Sequence, residues 1–78
     1  MKVFNLKETC GGCPMVFEWT NGKGHNVYFR LRHGHAHIEN ETKSKTVVSA
    51  NFEYGDGVCS WEDVVKWAKQ HNLKLKEM

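Results

Sequence analysis

Asn26-Val27-Tyr28-Phe29-Arg30-Leu31-Arg32 is the stretch from which the fold can be read. It alternates strictly, and successive side chains of a strand point to opposite faces. Val27, Phe29 and Leu31 therefore share one side, with Tyr28, Arg30 and Arg32 on the other. Upstream, Met15-Val16-Phe17-Glu18-Trp19-Thr20 alternates in the same way. The intervening Asn21-Gly22-Lys23-Gly24 is a hairpin signal, because Asn and Gly accept positive φ. Downstream, His33-Gly34 permits a tight reversal into His35-Ala36-His37-Ile38-Glu39, with Ala36 and Ile38 toward the core and His35 and His37 outward.

The pattern extends in both directions. After a polar loop over residues 40–45, residues 46–54 alternate again and offer Val48, Ala50 and Phe52 to the core. Residues 3–7 suit a short first strand ending in the turn-rich Cys10-Gly11-Gly12-Cys13-Pro14. Gly55-Asp56-Gly57 breaks the last strand. Ser60 followed by Asp63 then reads as an N-cap with an acidic residue in the first turn, where the helix dipole favours it. Trp61, Val64, Val65 and Ala68 give residues 61–71 one apolar helical face, and Lys69, Lys74 and Lys76 suit a helix end and a solvated tail. The fold class expected is α+β: an antiparallel meander sheet of four to five short strands packed on one C-terminal helix.

At 78 residues the chain has room for a single domain, residues 1–78, with one modest core. Three Trp, four Phe and two Tyr must supply much of it. Eleven basic against nine acidic residues give a net charge of +2, too small to force a nucleic-acid reading by itself. No apolar run reaches signal-peptide or membrane-span length, and three cysteines suit a reduced compartment, so a cytoplasmic protein without a membrane partner is expected.

Several residues invite a chemical reading. Cys10-x-x-Cys13 could clamp a zinc ion if Cys59 and His71 completed a Cys3His set; the alternative is a glycine-rich turn with partly buried cysteines. His35 and His37 lie two apart on a strand and could chelate a metal, against the plainer reading of two solvent-facing strand residues. His37-Ile38-Glu39 echoes the zinc-deaminase H-x-E, but the cysteine pair precedes it instead of following. Residues 56–63 imitate the second half of an EF-hand loop, yet the first ligand positions would fall on Phe52 and Tyr54.

The outward sheet face is the broadest candidate. Tyr28, Arg30, Arg32, His35 and His37 would gather there, offering charge for phosphate and aromatic surface for a base. Glu18 and Glu39 lie beside them, and Glu18 could pair across strands with Arg30 or Arg32. No nucleophile, base and orienting group can be assembled from motifs in the chain, so an enzyme is not expected. A small binding module for an anionic ligand, a nucleotide or single-stranded nucleic acid, comes first. A protein-interaction module such as a phage-type inhibitor of a host protein is the alternative, and a zinc-stabilised domain is the third.

Cys10-Gly11-Gly12-Cys13-Pro14, Phe17-Glu18-Trp19 and Tyr28-Phe29-Arg30-Leu31-Arg32-His33-Gly34 together resemble small uncharacterised bacterial and phage proteins. Their pattern runs C-G-x-C-P, W-E-G and then Y-F-R-Y-R-x-G. The likeness covers roughly the N-terminal half, with Trp-Thr here in place of Trp-Glu-Gly. It implies no activity, but it draws the cysteine pair, Glu18, Arg30 and Arg32 together as a possible unit.

Overall fold

A computed structural model describes residues 1–11, 15–55 and 57–78. Six strands and one helix follow in the order β1 (Lys2–Gly11), β2 (Met15–Thr20), β3 (Asn26–Arg32), β4 (His35–Asn40), β5 (Lys45–Asn51), α1 (Trp61–Gln70) and β6 (Lys76–Glu77). They form one sheet ordered β5-β4-β3-β2-β1-β6 and curled into a half-barrel. The meander from β1 to β5 is antiparallel throughout, while β6 joins β1 in parallel.

The central hairpins form where turn chemistry and alternation agree. Asn21 accepts the backbone N–H groups of Lys23 and His25 on its side-chain oxygen, and Gly24 takes φ 77° to close the β2–β3 turn. At the β3–β4 reversal His33 and Gly34 both lie in the left-handed region, φ 51° and 74°. That geometry matches the right-handed twist of the strands it joins. Burial alternates along β2, β3 and β4 in register, so Phe17, Trp19, Val27, Phe29, Leu31, Ala36 and Ile38 all reach one face.

Helix α1 covers that inner face. Ser60 and Asp63 form a reciprocal capping box, each side chain accepting the other's backbone N–H. Val64, Trp67 and Ala68 are fully buried, with Trp61 and Val65 partly so. The Trp67 ring lies 5.6 Å from Phe29 and 5.8 Å from Phe52, and its indole N–H donates to the Asn51 carbonyl at 2.8 Å. Trp61 packs edge-on against Phe17 and Trp19 at 5.5 and 5.3 Å. Aromatic rings therefore link sheet to helix. Among the described residues the core holds no charged side chain, which leaves the ionisable groups to the outer face and the loops.

Three expectations need correction. The sheet has six strands and is mixed, not four or five in a purely antiparallel meander. The C-terminal residues are not simply a solvated tail: Leu75 is buried, and Lys76 and Glu77 pair with Lys2 and Val3. A two-residue strand is too short to leave a period in the sequence, so only its docking on β1 reveals it. The first strand extends to Gly11, and its alternation is scrambled by register shifts between Phe4 and Lys7 and between Glu8 and Cys10, with Asn5 at φ 55°.

Candidate anion-binding sheet face

The outer face is built from the polar half of the same alternation. Cross-strand pairing sets its side chains in rows. Val16, Arg30, His37 and Ser49 form one row, and Glu18, Tyr28, Glu39 and Thr46 the next; Arg32, His35 and Asn51 form the row nearest the β3–β4 turn. The five residues singled out from sequence, Tyr28, Arg30, Arg32, His35 and His37, are thus brought together on two adjacent strands. Arg30, Arg32, His35 and His37 line one hollow of about 300 Å³, joined by His33 from the turn.

Glu18 does not stand opposite either arginine. The register places it across from Tyr28 on one side and Lys7 on the other, while Val16 faces Arg30. Among the described residues Arg30 and Arg32 make no ion pair. The arginine end of the face is consequently positive and uncompensated at contact distance. Carboxylates return toward the opposite end, where Glu18 and Glu41 line a second hollow of about 310 Å³ with Val16, Tyr28 and Arg30. Arg30 borders both hollows, so the face is graded from cationic at the β3–β4 turn to acidic beyond Tyr28.

His37 is half-buried at the centre of the basic row. Burial lowers its pKa, and the neighbouring positive charges of Arg30 and His35 push the same way, against an opposing pull from Glu39. The Tyr28 phenol is shifted up by burial and then by the neighbouring Glu39 carboxylate. The Tyr28 hydroxyl also lies 3.4 Å from His37 Nε2. The two rings meet edge-to-face at 5.5 Å. His35 is tied to Ser49 at 2.9 Å through its Nε2. These contacts hold both imidazoles in place beside the guanidinium groups.

His33 and Ser49 belong to this site and were not singled out from sequence. In the sequence His33 reads as part of a turn. Ser49 becomes visible only once the β4–β5 register is known, since it stands opposite His37.

The residues considered for zinc are placed apart. Cys10 lies exposed on β1. Cys59 is buried just before α1, with its backbone N–H against the Met15 sulfur at 3.0 Å. His71 caps the other end of the helix, its ring 5.3 Å from Trp67. A helix of this length separates Cys59 from His71 by roughly 15 Å at 1.5 Å per residue, so the two cannot share one tetrahedral ion. Cys13, and Asp56 of the EF-hand-like segment, lie outside the described residues. Among the described residues no three His, Cys, Asp or Glu side chains are grouped to hold a metal, His35 and His37 included.

No helix among the described residues is long and apolar enough to cross a membrane. No protein-family model, curated protein or solved structure matches the chain.

Proposed function

We propose that this chain is a small binding module that takes an anionic ligand, a nucleotide or a short single-stranded nucleic acid, on the outer face of β3 and β4. The observation that carries the reading is the hollow in which Arg30 and Arg32 stand without a carboxylate partner among the described residues, flanked by three histidines. A guanidinium offers a planar fork of donors matched to phosphate oxygens, and two of them two residues apart on a strand can hold one phosphate or two consecutive ones. Tyr28, one row along, adds aromatic surface for a base. The hollow's volume sits at the small end of the roughly 300–1,000 Å³ usual for small-molecule sites, which suits a single nucleotide unit at a time. The acidic hollow beyond Tyr28 limits the length of polyanion that can lie flat on the sheet.

Fluorescence anisotropy with a labelled ten-nucleotide oligothymidylate tests this directly, with unlabelled mononucleotide and duplex DNA as competitors. Single strand and mononucleotide should compete and duplex should compete less well, because the duplex withholds its bases from Tyr28. Equal binding by the protein carrying both Arg30→Ala and Arg32→Ala overturns the proposal.

A further inference from the structure

A second cationic site lies elsewhere on the molecule, and nothing in the sheet-face reading uses it. Where the β2–β3 and β4–β5 turns meet the start of β1, a groove of about 540 Å³ opens. Lys2, Lys23, Lys43 and Lys45 line it together with His25 and Asn40, and among the described residues no carboxylate does. The groove lies at the end of the sheet where Asn40, on the same side of β4 as the buried Ala36 and Ile38, pairs with Val27 and Lys45. The arginine hollow lies toward the other end of the strands, at the β3–β4 turn.

The polar groups around the groove have been reduced to donors. Asn40 accepts the backbone N–H of Lys43 on Oδ1 at 3.0 Å, which fixes its amide orientation. Its Nδ2 must therefore donate to His25 Nδ1 at 3.1 Å. A neutral His25 ring then carries its proton on Nε2. Asn21 likewise spends its side-chain oxygen on two backbone N–H groups, at 2.9 and 3.0 Å, leaving its amide NH2 as a donor. Four lysines, an imidazole N–H and an amide NH2 thus line one groove in which every side-chain acceptor is taken. Positive charges gathered from three segments repel one another until an anion neutralises them.

We infer that this groove binds an oligophosphate chain, the chemistry shared by a nucleoside triphosphate and a short inorganic polyphosphate. Four lysines exceed what a single phosphate can use. Among the described residues the only aromatic ring in the lining is His25, so the chain of phosphates and not a base is recognised. Lysine suits this role as a point charge on a flexible stem that can follow successive phosphates.

The test is calorimetric titration of the full chain with sodium tripolyphosphate, ATP and AMP at constant ionic strength, with backbone amide shifts followed by NMR. Tripolyphosphate and ATP should bind within about threefold of each other and AMP about tenfold or more weaker, as expected when successive charges are neutralised. Shifts should centre on Lys23, His25 and Lys43. Both Lys23→Glu and Lys43→Glu are exposed turn changes, and together they should weaken tripolyphosphate about tenfold or more. In the protein carrying Arg30→Ala and Arg32→Ala, tripolyphosphate should still shift the Lys23, His25 and Lys43 amides, which separates this inference from the sheet-face proposal. Absence of tripolyphosphate binding overturns it. So does binding of ATP without tripolyphosphate, shifts confined to β3 and β4, or full affinity in the double glutamate variant.

Discussion

Replacing Arg30 and Arg32 by alanine perturbs the charge of the outer face while touching little of the fold. Arg30 is half-buried, Arg32 is exposed, and neither makes an ion pair among the described residues. Outer-face strand substitutions of this kind cost less than about 1 kcal/mol, so the melting temperature should stay within a few degrees of the unaltered protein. Binding should respond much more. Each phosphate neutralised on a single strand contributes about −0.7 to the slope of log K against log salt, and two guanidinium groups therefore predict a slope of about −1.4. Raising salt from about 50 to about 500 mM should then weaken oligothymidylate binding roughly 25-fold. The double alanine variant should lose most of that slope along with its affinity. Neutralising the opposing carboxylates, Glu18→Gln with Glu41→Gln, should tighten binding, because both border the hollow that Arg30 shares. Anisotropy titrations at four salt concentrations measure all of this. A slope that is the same in the unaltered and double alanine proteins would refute the assignment of the phosphate to these two side chains.

Other consequences are accessible to simple measurements. Burial holds the His37 pKa below 6.5, so the unfolded chain takes up its proton first: the contribution to stability is complete above that value and is lost as pH falls below it. The urea midpoint should therefore drop between pH 8 and pH 5, and His37→Thr should reduce that drop. Cys59 is buried and its thiol is pushed up to about 11 by burial and by Asp63 and Glu8, so native protein at pH 7.5 should resist N-ethylmaleimide at this residue until denaturant is added, as peptide mass mapping can show. Trp67→Phe removes the 2.8 Å hydrogen bond to the Asn51 carbonyl and should cost about 1–3 kcal/mol by urea denaturation, whereas Trp67→Ala should cost about 3–5 kcal/mol and approach the total stability of so small a domain.

What could be read from the sequence was whatever repeats over a few residues. The alternation of residues 26–32, the Asn21 to Gly24 turn, the His33-Gly34 reversal and the Ser60 cap are each encoded by neighbours, and each stands where the residue pattern places it. The gathering of Tyr28, Arg30, Arg32, His35 and His37 was legible for the same reason, since a two-residue period and one tight turn suffice to place them on one face. Trp67 was missed as a core residue although it stands three positions after Val64, because a helix ten residues long shows which stripe is buried only against its sheet. The docking of β6, the bulged course of β1 and the partner of Glu18 depended on register and sheet order, which local alternation does not carry. The lysine groove is the clearest case. Lys2, Lys23, Lys43 and Lys45 are spread along more than half of the chain, each an ordinary charged residue in its own segment. Only the strand order, bringing two turns beside the start of β1, makes them one site.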